Sequence, residues 1–417
     1  MGKLIVNNCE KLIGKVEIKS AKNALLPLIA SCILLDFEVG FYNCPKIDDV
    51  LVMLEIIKSM GGKYRFEGDV LFVDCSLLSL PELPCVLASK IRASVFMLGP
   101  LIARFKKARF SAPGGCNIGE RPIGLHLDCF KKMGVEIKRE DCLYFRADKI
   151  EGKRIQLPFK SVGVTENLIM LATLSEGETI IENCAKEPEI VCLCSFLKLF
   201  GAKIKGEGSS KIIVQGVSKL KKSSVIFKPI PDRIEAGTFL LAGLSVGCEM
   251  EIEGANFIHN SQLIKKVFNN TCKMCFHSDK IYLKSCGVGS ALGYVKTAPY
   301  PLFPTDLQSP LLAYASTLVG TTQIEETVFK NRFETANQLR LMGANVTVNS
   351  NVATVKGVKS LTGCEVTATD LRGGAGLVIA GLKAQGKTII NNAEIIERGY
   401  YKIQNKLKSL GAVVERI

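Results

Sequence analysis

The most reactive grouping in the chain is a cysteine in a loop-forming segment. Ser111-Ala-Pro-Gly-Gly-Cys116-Asn-Ile-Gly-Glu-Arg121-Pro122 holds three glycines and two prolines in twelve residues. That composition predicts an exposed loop, and loops held by a rigid scaffold carry function. A cysteine placed there is not a core residue. Arg121 beside it favours the thiolate, the form that reacts. Such a group can deliver a proton, take one back, or bond covalently to a substrate.

Other reactive residues form weaker patterns. The chain has 16 cysteines, scattered and without a secretion signal, so most are expected as small buried apolar residues in a reducing compartment. Cys192-Leu-Cys194 lies in an apolar helical stretch with no partner pair. Cys272-Lys-Met-Cys275-Phe-His277 offers three metal ligands, where a zinc site needs four. A haem attachment needs His directly after the second Cys, and Phe276 stands there. No metal and no cofactor are therefore expected. The three histidines, His126, His259 and His277, lie in no motif suited to nucleophilic catalysis.

Lys and Arg number 54 against 40 Asp and Glu, a net charge of +14. This favours anionic partners: nucleic acid, phosphorylated metabolites or acidic lipid. Nucleic acid is the poorer fit: Trp is absent, aromatics are 7%, and no block of five like charges occurs. The longest apolar run, Ala24 to Leu35, is broken by Pro27 and is shorter than the ~20 residues a membrane span needs. The N-terminus lacks the apolar stretch of a signal peptide. A cytoplasmic, membrane-free protein is expected.

The elements that must position these residues repeat. A helix, a glycine turn and an alternating strand recur at Gly61, Gly134, Gly201, Gly343 and Gly411, with spacings of 73, 67, 142 and 68. The double gap places a degenerate copy near Asn270-Thr271-Cys272. A second series runs in phase, with apolar helices ending at Gly177, Gly247, Gly320 and Gly386. Gly40 fits that series, and Lys107 stands where another glycine belongs. Glycine ends helices because it adopts left-handed conformations without a Cβ clash. Six units of about 70 residues predict two α/β domains of three units each. The expected boundaries are 21–229 for the first domain and 1–20 plus 230–417 for the second. Strand Lys3–Val6 would pair with the last strand, Val413–Ile417. The apolar helices have no clean polar face and should be buried beneath sheets.

Several segments together resemble one family. Pro113-Gly-Gly-Cys116-Asn-Ile-Gly-Glu-Arg121-Pro122 resembles the active-site loop of the UDP-N-acetylglucosamine enolpyruvyl transferases, within the EPSP synthase-like enolpyruvyl transferase family. Ser20-Ala-Lys22-Asn23-Ala24, Arg92-Ala-Ser94, Ser161-Val-Gly-Val-Thr-Glu-Asn167 and Lys186-Glu-Pro-Glu-Ile190 follow in family order. So do Phe303-Pro-Thr-Asp306, Asn331-Arg-Phe333, Ala368-Thr-Asp370-Leu-Arg372 and Glu397-Arg398-Gly399-Tyr400.

The resemblance implies an inside-out α/β barrel of two domains, each of three βαβαββ units, with the active site in the cleft between them. It implies transfer of the enolpyruvyl group of phosphoenolpyruvate to the 3-hydroxyl of UDP-N-acetylglucosamine, the first committed step of peptidoglycan synthesis. Cys116 would be the proton donor, able to form an adduct with phosphoenolpyruvate, and Asp306 the base. Lys22, Asn23, Arg121 and Arg398 would hold phosphoenolpyruvate. Asn23, Arg92, Arg121, Pro122, Ile123, Gly124, Leu125, Ser161, Val162, Gly163, Asp306 and Val328 would hold the nucleotide sugar. Asp370 and Arg372 would support the site, and His126 would pack a helix. A monomer is expected. On the residues alone, Asp306 reads equally well as a helix N-cap after Phe303-Pro-Thr. One departure bears on binding: Gly124 stands where relatives carry an Asp that reads the uracil. The runner-up, the shikimate-pathway enolpyruvyl transferase, lacks the cysteine loop.

Overall fold

A computed structural model describes residues 2–111, 123–268 and 272–417. Its strands form six sheets, five of four strands and one of three. One repeat shows the plan. Tyr294–Lys296 runs parallel to Thr321–Glu325, with Val295 opposite Ile324. The helix Gln308–Ala315 makes the crossover between them, because parallel neighbours cannot be joined by a tight turn. The helix Glu334–Leu341 follows, and the antiparallel pair Asn345–Asn349 and Val352–Lys356 completes the sheet.

Contacts divide the described chain into two compact units, residues 2–19 with 231–417, and residues 20–111 with 123–230. In the first, Lys3–Asn7 lies antiparallel to both Lys387–Asn391 and Val414–Arg416, so the expected pairing of first and last strands is present. Leu12–Glu17 then runs parallel to Cys248–Glu253. In the second unit, Ile226–Phe227 supplies the parallel neighbour of Glu38–Phe41.

The apolar helices are buried as their composition requires. Every residue of Arg233–Val246 and of Gln308–Ala315 is buried. Those two helices and Leu371–Lys383 pack against one another at the centre of their unit. Small residues allow the approach: a Cβ on Gly376 would lie 2.8 Å from the Ser309 carbonyl oxygen. No helix among the described residues is long and apolar enough to cross a membrane.

The turn glycines Gly61, Gly134, Gly201, Gly343 and Gly411 all have φ between 89° and 101°, a region that L side chains disfavour. Two assignments to the second series need correction. Gly40 ends no helix. It lies inside strand Glu38–Phe41, where Ile226 and Phe72 side chains would meet its Cβ at 3.1 Å. Lys107 is likewise the first residue of a strand, and the left-handed position before it is Lys106, with φ 57°. Lys106 Nζ donates to the Ala103 carbonyl at 3.2 Å, satisfying a helix-end acceptor that glycine would leave to water. Strand Cys272–His277 buries Cys272 and exposes Cys275. A spacing of three in a strand sends the two thiols to opposite faces.

Candidate active site

In the unit containing the C-terminus, Asp306 lies inside the 3-10 turn Thr305–Leu307, whose N-cap is Pro304. It therefore does not cap the following helix. Two guanidinium groups take its carboxylate instead. Arg332 Nη2 donates to Oδ1 at 3.0 Å, and Arg372 Nη2 donates to Oδ2 at 3.1 Å. The arginine side chains are 2% and 3% exposed, while that of Asp306 is 25% exposed. Charge-assisted bonds of this kind are short and directional, so the carboxylate has a fixed orientation with one edge towards solvent. Arg372 also lies over the Tyr400 ring, 5.2 Å from its centroid, and Tyr400 Oη meets Thr238 Oγ1 at 2.9 Å. Burial opposes the Arg372 charge, but Tyr400, Asp306 and Asp232 outweigh it and hold the proton more firmly than usual.

Asp370 caps the helix Leu371–Lys383. Its Oδ1 accepts from Arg372 N at 3.0 Å and Gly373 N at 3.1 Å. It positions Arg372 through the backbone. Arg398 is half-buried at the end of the short helix Ala393–Glu397, which packs on Leu371–Lys383. Glu326 joins two further segments. Its Oε1 accepts from Val328 N at 2.7 Å and its Oε2 from Thr305 Oγ1 at 2.8 Å. The Val328 turn is thereby tied to the turn that carries Asp306.

In the other unit, Lys22 and Asn23 begin the helix Lys22–Ser31. Lys22 Nζ donates to Asp49 Oδ2 at 2.9 Å, from the first turn of Asp48–Ser59. Arg92 begins the 3-10 helix Arg92–Met97, which packs on both of those helices and on Val162–Thr173. Ser161 caps the last of these, its Oγ accepting from Val164 N at 3.4 Å. Val162 and Gly163 therefore present the start of a helix, which favours anions. Gly124 and Leu125 open the helix Gly124–Lys132, with Ile123 as its N-cap. Gly124 is exposed, and a Cβ there would meet nothing within 4 Å. His126 is buried against Phe130, ring centroids 6.4 Å apart, and its Nδ1 meets Asn167 Nδ2 at 3.1 Å. Burial first, then the Arg92 charge, push its pKa down to about 4.

Cys116, Arg121 and Pro122 lie outside the described residues. Several participants in these contacts were missed by sequence reasoning, Arg332, Asp49 and Glu326 among them. Arg332 was quoted only as part of a motif, Asp49 and Glu326 not at all. The signal for Arg332 was a cation beside the one aromatic residue of Asn331-Arg-Phe333; the ring it lies over, at 5.4 Å, is that of Phe329, outside the motif. Asp49 and Glu326 had no signal, because the side chains they hold, Lys22 and Thr305, lie 27 and 21 positions away.

The comparisons agree in one direction. The family model described as EPSP synthase (3-phosphoshikimate 1-carboxyvinyltransferase) matches residues 6–407. Proteins named UDP-N-acetylglucosamine 1-carboxyvinyltransferase 2 from Caldanaerobacter subterraneus subsp. tengcongensis and Clostridium tetani are 43% and 42% identical, with all of both chains covered in each case. Among solved structures, the enolpyruvyl transferase NikO from Streptomyces tendae superposes with a TM-score of 0.88 at 23% identity, over all of this chain and 98% of its own. EPSP synthase from Acinetobacter baumannii gives 0.74 at 17% identity, over all of this chain and 99% of its own. At these identities the structural matches speak for the fold alone, and the fold is that of the enolpyruvyl transferases. With a family model spanning nearly its whole length and relatives above 40% identity from end to end, the chain belongs to the EPSP synthase family, among members named UDP-N-acetylglucosamine 1-carboxyvinyltransferase.

Proposed function

We propose that the chain transfers the enolpyruvyl group of phosphoenolpyruvate to the 3-hydroxyl of UDP-N-acetylglucosamine, releasing phosphate. The observation that carries this reading is the end-to-end match, at 42–43% identity, to proteins bearing that activity in their names. The Cys116 loop separates it from the shikimate-pathway enzyme. Peptidoglycan synthesis, and with it cell-wall growth and cell shape, is the process served. We place the reaction in the cytoplasm, in a monomer that needs neither metal nor cofactor and binds no nucleic acid. Residues 21–229 and 1–20 plus 230–417 are proposed as its two three-repeat domains.

The reaction proceeds by addition and elimination. Cys116 gives a proton to the methylene carbon of phosphoenolpyruvate. The sugar 3-oxygen bonds to the adjacent carbon as Asp306 takes the hydroxyl proton. In the tetrahedral ketal that results, the Cys116 thiolate takes back a methyl proton, the double bond re-forms, and phosphate leaves with its bonding electrons. Lys22, Arg121 and Arg398 neutralise the donor's phosphate and carboxylate, with Asn23 beside them. Arg92, Pro122, Ile123, Gly124, Leu125, Ser161, Val162, Gly163 and Val328 hold the nucleotide sugar. Asp306 is suited to its task by orientation: both oxygens are held by buried guanidiniums, and its exposed edge faces outward. The test is phosphate release from phosphoenolpyruvate. It should require UDP-N-acetylglucosamine, and release driven by shikimate 3-phosphate instead would move the chain to the alternative activity.

A further inference from the structure

The segment 326–332 is fastened at both ends to two neighbouring residues, Thr305 and Asp306. At one end Thr305 Oγ1 donates to Glu326 Oε2 at 2.8 Å, and at the other Arg332 Nη2 donates to Asp306 Oδ1 at 3.0 Å. Thr305 and Asp306 begin the same 3-10 turn. Val328 lies between the two fastenings. Its N–H donates to the other oxygen of Glu326 at 2.7 Å, and the Phe329 N–H donates to that oxygen at 3.1 Å. The Val328 side chain is left 39% exposed. One carboxylate therefore holds the backbone of an open apolar residue with one oxygen, and the turn that carries the proposed base with the other.

Glu326 is a fixed point from which both turns are set. It is 3% exposed, and a carboxylate is retained at such depth only where donors meet it. It follows strand Thr321–Glu325, and its main chain is pinned there. Glu326 N donates to the Asn351 carbonyl at 2.8 Å, and Asn351 Nδ2 donates to the Glu326 carbonyl at 3.2 Å. The next residue is pinned too, with Thr327 N donating to Thr297 Oγ1 at 3.0 Å. The contacts close a ring: from Thr305 along the chain to Asp306, across to Arg332, back along 326–332, and from Glu326 to Thr305. The Asp306 carboxylate takes part of its orientation from Arg332, so that orientation depends on the course of the segment that Glu326 begins. Removing the Thr305 bond opens the ring beside the base.

We propose that Glu326 is a positioning residue for the transfer: through Thr305 it holds the base Asp306 in register with the acceptor that Val328 contacts. This rests on the functional reading above and adds a residue that touches neither substrate. Misplacing a reacting group by about 1 Å costs on the order of a hundredfold in rate while the substrate still binds. The bond to Thr305 therefore weighs on turnover, and the bond to Val328 on acceptor affinity.

Phosphate-release kinetics and calorimetric titration with UDP-N-acetylglucosamine, on wild type, Thr305→Val, Thr305→Ser and Glu326→Ala, test the proposal. Val nearly keeps the shape of Thr and removes the donor. Thr305→Val should lower kcat roughly ten- to a hundredfold, with the Kd for the nucleotide sugar unchanged. Thr305→Ser keeps the hydroxyl and should restore most of the rate. Glu326→Ala should lower kcat as far and also weaken the nucleotide sugar, because the Val328 turn loses its anchor. Adding Thr305→Val to Glu326→Ala should cost nothing further in kcat, since both changes break one bond. A merely structural role would lower the folded fraction and leave kcat per folded molecule as it was. A folded Thr305→Val enzyme with wild-type kcat would overturn the proposal, and this variant decides alone where Glu326→Ala does not fold. A Ser variant as slow as Val, additive losses in the double variant, or a loss of affinity in Thr305→Val equal to its loss of rate would also overturn it. Wild-type protein that released no phosphate with UDP-N-acetylglucosamine would instead sink the functional reading itself.

Discussion

Arg332 and Asp306 form a charge pair in which the cation is the buried partner. Nη2 meets Oδ1 at 3.0 Å, with the arginine side chain 2% exposed and the aspartate 25%. Burying a guanidinium is costly unless its charge is met, and leaving it unmet is costlier than never burying it. Asp306→Ala should therefore lose stability as well as turnover, by about 3–5 kcal/mol, the usual cost of breaking a buried pair. Asp306→Asn keeps an acceptor for one arginine and should lose less stability but as much turnover. Urea unfolding beside phosphate-release kinetics separates the two effects. Equal stability of Asp306→Ala and wild type would mean that the pair does not hold the site.

Lys22 reaches Asp49 at 2.9 Å. If it also meets the phosphate of phosphoenolpyruvate, Lys22→Ala and Arg398→Ala should each reduce donor affinity or rate. One charge-assisted contact is worth about 1.5–3 kcal/mol, on the order of ten- to a hundredfold. Asp49→Asn should give a smaller loss, because the lysine keeps its charge but not its anchor. Steady-state kinetics with phosphoenolpyruvate varied would measure all three, and unchanged donor kinetics for Lys22→Ala would remove that residue from the site.

Cys116 has rivals. Cys85, Cys275 and Cys286 are exposed, Cys364 is half-buried, and the eleven other described cysteines are buried. Exposure alone therefore does not select one thiol of the sixteen. Burial pushes Cys44 and Cys75 up to about 12, so such thiols stay protonated and inert. Fosfomycin, the epoxide that attacks this family's loop cysteine, should alkylate Cys116 ahead of the three exposed thiols, and faster with UDP-N-acetylglucosamine present. Peptide mapping decides; an adduct on Cys85, Cys275 or Cys286 would end the assignment. Cys116→Ala should lose turnover. Cys116→Asp should retain some, since a carboxylic acid also delivers protons, and should resist the epoxide.

Gly124 sits in the first turn of its helix with open space where a side chain would go. Gly124→Asp should fold without strain and gain about 0.3–1 kcal/mol from the helix dipole. If the uracil is read at this position, as the resemblance implies, the substitution should also tighten UDP binding. Calorimetry with UDP and uridine is the check. Tighter folding with unchanged nucleotide affinity would show that the base is read elsewhere.

Much of the fold was legible because the repeat states itself six times. The glycine turns recur in phase, and each copy that is blurred is corrected by the others. The degenerate copy expected near Asn270-Thr271-Cys272 rests only on its distance to Gly201 and Gly343, and Asn270 and Thr271 lie outside the described residues. The failures at Gly40 and Lys107 have a physical cause. A left-handed helix end needs a permissive residue but not glycine, and Lys106 supplies its own hydrogen bond there. The candidate site was legible through motifs whose residue types carry charge, and through resemblance. The partners that hold those residues were not. Asp49 belongs to an ordinary amphipathic helix, and Glu326 follows an ordinary strand. Asn167 reads as one polar residue in an apolar helix, and only its three contacts reveal that it meets a histidine 41 positions away.

Glu166 presents the opposite case, a charge-bearing residue where no charge can be kept. It is fully buried beside Glu187 and Glu189, and neither of its carboxylate oxygens has a hydrogen-bond partner among the described residues. Desolvation first, then repulsion from Glu189 and Glu187, hold its pKa well above the usual carboxylate range. Burial therefore favours the neutral acid over the carboxylate in the folded protein. In the unfolded chain it ionises near its ordinary value of about 4.3. Above that pH the folded state binds the extra proton, so this group's contribution to stability is complete in acid and declines as pH rises towards the folded pKa. Glu166→Gln copies the neutral form and cannot ionise in either state. The stability of the variant relative to wild type should then grow with pH, by up to about 1.4 kcal/mol per unit across the window between the two pKa values. Urea unfolding of both proteins at pH 5, 6, 7 and 8 measures that slope. A difference that stays constant over this range would mean that Glu166 is ionised in the fold and has found a partner there.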